Sequence, residues 1–109
     1  MGKRVDMAVR LVATAMDVPR AAVLERRHAR RSDVSIARHL VWWLVRSTSD
    51  TTLADIGAGF KVTHATVING IKRCEELRST KPDFRTMSND LKDQLSAACP
   101  RFAKVGGTA

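Results

Sequence analysis

The period of the apolar residues constrains this chain more than any other feature. Val5, Ala8, Val9, Val12 and Met16 recur every three or four positions. So do Ile36, Ala37, Leu40, Val41 and Leu44, then Val67, Ile68, Ile71, Cys74 and Leu77, then Phe84, Met87, Leu91 and Leu95. That spacing lines one face of a helix; a strand would alternate at every second residue. No convincing alternation, internal repeat or low-complexity block interrupts it. The pattern predicts an all-α fold, a bundle of five or six helices. The chain's 109 residues suffice for one domain. It is expected over residues 1–98, with 99–109 as a flexible tail.

Caps and breakers divide the chain. Asp17 ends the first period, and Pro19 can open a short second helix around Ala21 to Leu24. Ser32 or Asp33 offers an N-cap for the third. Trp42 and Trp43 point about 100° apart on a helix, which predicts one in the core and the other at its edge. Thr52, with Asp55 three residues later, resembles a capping box ahead of Leu53 and Ile56. Gly57 and Gly59 bracket the end of that short helix, and Gly59 is the better candidate for a left-handed stop. Phe60 and Val62 are expected to anchor the turn. Thr63 can cap a helix from about His64 to Arg78, and Pro82 opens the last one.

Charge narrows the class of partner. Nineteen Lys and Arg stand against eleven Asp and Glu, a formal net charge of +8. Such a field attracts polyanions. Cys74 and Cys99 lie too far apart for a metal pair and are expected to be reduced thiols. No apolar run approaches the roughly 20 residues that span a bilayer, so no membrane is expected and the expected compartment is the cytoplasm; no small-molecule substrate is expected either. His28 and His39 read as a loop residue and a helix-surface residue, not metal ligands. No spacing argues for a catalytic constellation, a cofactor or a metal.

Thr52 to Arg78 has the layout of a helix-turn-helix: a short helix, a glycine-containing turn, and a longer helix with a polar start. In such motifs the front of the second helix meets base edges in the major groove of duplex DNA. His64, Thr66 and Asn69 have suitable chemistry. Asn can pair with adenine through two hydrogen bonds, and the methyl of Thr or Ala65 can meet that of thymine. Thr63 could touch a phosphate while capping. Arg46, Lys61, Lys72 and Arg73 are candidate phosphate contacts, and Arg26, Arg27, Arg30 and Arg31 form a basic loop upstream.

The residues Leu53-Ala-Asp-Ile-Gly-Ala-Gly-Phe60 and Thr63-His-Ala-Thr-Val-Ile-Asn-Gly-Ile-Lys-Arg73 closely resemble the C-terminal DNA-binding domain of the bacterial replication initiator DnaA. The resemblance covers about residues 8 to 95. It implies six helices and sequence-specific duplex binding, with base contacts falling on Thr63, His64, Ala65, Thr66 and Asn69. It implies that one arginine among Arg26, Arg27, Arg30 and Arg31 enters the adjacent minor groove, and that Arg46 holds a phosphate. The chain departs from the family where Lys61-Val62 replaces Gly-Gly-Arg, Thr63 an aspartate and Ala65 a threonine, so a target other than the usual DnaA box, or a relaxed one, is expected. No phosphate-binding Gly-x-x-x-x-Gly-Lys-Ser/Thr loop occurs in these residues. The expectation is a stand-alone, non-enzymatic regulator of transcription or replication initiation. The rival readings are an adaptor for a replication or transcription protein, or a competitor of DnaA at its sites.

Overall fold

The computed structural model describes residues 2–25 and 32–99. The basic loop with Arg26, Arg27, His28, Arg30 and Arg31 lies outside the described residues, as does the tail over 100–109. The described residues form six helices: α1 (Lys3–Met16), α2 (Arg20–Leu24), α3 (Ser32–Thr48), α4 (Leu53–Phe60), α5 (His64–Thr80) and α6 (Pro82–Ala98). The predicted all-α class holds, and no strand occurs among the described residues.

The helix ends follow from local chemistry. Thr52 Oγ1 accepts from the Asp55 amide at 3.1 Å, and Thr63 Oγ1 accepts from the Thr66 amide at 3.3 Å. Both threonines thus satisfy an amide that the first turn of a helix leaves without a partner. The stop signals differ from expectation at α4. Gly59 lies inside the helix, and Lys61 takes the left-handed conformation instead, with φ 58°. Val62 N then reaches Gly57 O at 2.9 Å and Lys61 N reaches Ala58 O at 3.2 Å, the paired bonds of a Schellman stop. Asp17, at φ 55°, ends α1 in the same way. The glycine this turn requires is Gly57. A Cβ there would lie 2.5 Å from Val62 O, so the returning backbone leaves no room for a side chain. At the third helix, both Ser32 and Asp33 lie within α3, and the Asp33 carboxylate accepts from the Val34 amide at 3.0 Å in the first turn.

α3 is the axis of the bundle and packs against all five other helices. Every residue from Leu40 to Val45 is buried. A helix that is apolar all round belongs in a core rather than at its edge, which corrects the expectation for the tryptophans. Trp42 is 2% exposed and Trp43 4%, because neighbours cover this stretch of α3 on every side. Trp42 faces α4 and α5. Its ring meets Phe60 edge-on at 5.8 Å between centroids, and a Cβ on Gly70 would come within 2.4 Å of its six-membered ring. Trp43 faces α5 and α6. Its indole N–H donates to Glu75, and the Arg78 guanidinium lies 4.3 Å from the ring centroid. Arg78 also donates to Ser88 Oγ at 2.9 Å and Asn89 Oδ1 at 2.6 Å, tying α5 to α6.

Candidate nucleic-acid interface

The inner stripe of α5 is Val67, Gly70 and Cys74, with Ile68, Ile71 and Leu77 half-buried. Burial raises the Cys74 thiol to about 12, which makes it an inert core residue as expected. With that stripe turned inward, the opposite residues are set outward. His64, Ala65, Thr66, Asn69, Lys72 and Arg73 are all exposed, as are Thr63 and Lys61 ahead of them.

Helical spacing groups these exposed residues. Ala65 and Asn69 are four apart, Thr66 and Asn69 three, Asn69 and Lys72 three, so they share one face. Thr63 and Thr66 meet directly, their hydroxyls 3.1 Å apart. Thr63 is therefore held at the cap, and Thr66 is oriented beside it before any ligand arrives. The turn of Lys61, Val62 and Thr63 separates α4 from α5. The left-handed Lys61 projects its cation from that turn, immediately before the front of α5. Half-buried Val62 packs against the core as an anchor beside buried Phe60. A helix of 17 residues is about 25 Å long, and a major groove about 12 Å wide admits one.

Arg46 is exposed near the end of α3, and its Nη1 donates to Thr51 O at 3.0 Å. It thus holds the α3–α4 connection as well as carrying a charge. Arg73 lies on the α3-facing flank of α5. With Ser35, Ile36, His39, Glu76, Leu77 and Thr80 it lines a groove of about 510 Å³ between α3 and α5.

Three residues were missed or misread in the sequence. His39 is half-buried and not a free surface group. Burial, then the charges of Arg73 and Arg38, hold its pKa below the ordinary value. Gly70 is the point at which the second helix presses on Trp42; a lone glycine inside a helical period was its signal. Arg38 is 3% exposed. Its signal was a charged residue set among the apolar positions of α3. No cluster of three or more His, Cys, Asp or Glu among the described residues could hold a metal ion. No helix among them is long and apolar enough to cross a membrane.

Comparison with known proteins identifies the family. The family model for the bacterial dnaA protein helix-turn-helix matches residues 5–74. The chromosomal replication initiator protein DnaA of Oleidesulfovibrio alaskensis is 33% identical over 86 residues, which cover 78% of this chain and 18% of that protein. The DnaA of Leptospira biflexa is 30% identical over 91 residues, 84% of this chain and 20% of that protein. The chain thus spans about a fifth of the length of these curated relatives. With a family model covering more than half of its residues, the chain belongs to the bacterial DnaA helix-turn-helix family.

Proposed function

We propose that this protein binds double-stranded DNA in a sequence-specific manner, with no catalytic step of its own. The front of α5 enters the major groove. His64, Ala65, Thr66 and Asn69 meet base edges there, and Thr63 sits at the phosphate edge of the same groove. Arg46, Lys61, Lys72 and Arg73 hold phosphates. An arginine of the 26–31 segment enters the neighbouring minor groove, whose potential attracts it. The observation that carries this reading is the exposure of a contiguous polar face at the start of α5, backed by a buried stripe, in a chain of net charge +8. Phosphate contacts set the register, and the base contacts supply the selection.

The relatives are named chromosomal replication initiators. A protein of this kind acts by occupying sites on the nucleoid, in the cytoplasm, and so controls replication initiation or transcription. Thr63 and Ala65 alter the reading face, so its preferred site differs from the DnaA box. Selection from a random duplex pool, with DnaA boxes as reference, tests this. The expected result is one enriched site distinct from that box. A pool with no enrichment contradicts specific binding.

A further inference from the structure

We propose that Arg38 is a positioning residue for DNA recognition, fixing the end of α2 relative to the helix-turn-helix. Its Nη1 donates to Val23 O, in the last turn of α2, at 2.8 Å. Its guanidinium carbon lies 5.3 Å from the Phe60 ring centroid and 5.6 Å from that of Trp42. Phe60 is the last residue of α4, and Trp42 is the ring on which Gly70 of α5 rests. One buried side chain on α3 therefore joins α2, α4 and the seat of α5.

Stability alone is a poor reason for this arrangement. Desolvating a guanidinium is costly, and an apolar residue of similar volume is often as stable or more so. What the planar fork adds is direction: it lies against two rings while donating to the Val23 carbonyl. The chain enters the basic segment at Arg26, three residues after Val23. The inference rests on the proposed reading that α5 and this segment contact adjacent grooves. Two groove contacts on one duplex must keep a fixed separation, and groups that contact DNA need supports that hold them in place. Arg38 links the supports of both.

The test uses the full chain with Arg38→Met and Arg38→Lys. Each is bound to the duplex selected from the random pool, and to the same duplex with A·T pairs flanking the α5 footprint changed to G·C. For Arg38→Met with cooperative thermal unfolding, discrimination at the flanks should fall from about ten-fold to about two-fold, while discrimination at the bases opposite Asn69 is kept. Arg38→Lys should show a smaller loss at the flanks. If Arg38→Met fails to fold, Arg38→Lys decides. Its effect should vanish once Arg26, Arg27, Arg30 and Arg31 are all alanine, and an effect that persists there overturns the proposal. Unchanged flank discrimination in a folded variant, or equal losses at flanks and centre, also overturns it. A wild-type protein that is itself indifferent to the flanks overturns the minor-groove reading together with the role of Arg38. Wild-type discrimination unaffected by Arg38 substitution overturns the role of Arg38 alone.

Discussion

Gly70 shows how one atom fixes the seat of α5. Alanine is the better helix former by about 1 kcal/mol, yet a Cβ here would meet the Trp42 ring at 2.4 Å and His39 Cδ2 at 2.7 Å. The Trp42 ring is enclosed between helices, 2% exposed, and has little room to yield. Overpacking costs about 1–3 kcal/mol, so Gly70→Ala should destabilise the fold by about 1 kcal/mol net, measured by denaturant unfolding. A variant more stable than wild type contradicts the close contact. His39, on the same seam, makes the seat sensitive to acid. Its folded-state pKa lies below the ordinary 6.5. As the pH falls, the unfolded chain takes up the proton first, so this contribution to stability is full above about pH 6.5 and is lost on descent towards the folded-state value. Thermal midpoints from pH 7.5 to 5 should fall more steeply for wild type than for His39→Gln; parallel curves would show that His39 titrates normally. Neither contact was legible beforehand. The period left open which of Trp42 and Trp43 fills the core and did not include Gly70 in the stripe of α5, and their contact joins two helices far apart in sequence.

At the scale of elements, the two threonine caps and the buried stripe of α5 were legible, because each depends on residues within a few positions. The stop of α4 was not. Glycine is the usual left-handed residue, yet Gly59 lies in the helix and Lys61 adopts the turn conformation. The reason is tertiary. The Phe60 ring must reach Trp42, which carries α4 one residue past Gly59. Arg38 escaped notice for a similar reason, since its partners come from α2 and α4. The strain at Lys61 yields a prediction that separates folding from binding. A non-glycine residue in this conformation costs about 1 kcal/mol, so Lys61→Gly should raise the thermal midpoint. It should also weaken binding to every duplex by a similar factor, because a phosphate contact is lost. A rise in stability with affinity untouched would remove Lys61 from the interface; a fall in stability would contradict the strain.

Across the whole molecule, the grooves differ in charge. The groove between α1 and α6 is lined by Ala15, Asp83, Thr86, Met87, Asp90, Leu91 and Gln94, with no cation among them. Lys61, Lys72 and Arg73 surround the front and flank of α5 instead. The front and flank of α5 thus carry cations of their own, which suits a docking in which α5 leads. The fold class and the exposed α5 residues could be read from the sequence because the helical period is local. Which cations surround that face depends on how six helices pack. The central claim is that residues on this face divide into readers of bases and holders of phosphates. The most direct measurement compares Asn69→Ala with Lys72→Ala on the selected duplex and on a scrambled one, across a salt series. Each phosphate contact contributes about −0.9 to the log–log salt slope, so the four proposed contacts, Arg46, Lys61, Lys72 and Arg73, would together supply roughly −3.6. Asn69→Ala should weaken only the selected duplex and leave the slope unchanged, whereas Lys72→Ala should weaken both duplexes and make the slope shallower by about 0.9. Equal losses from both substitutions on both duplexes would contradict the account.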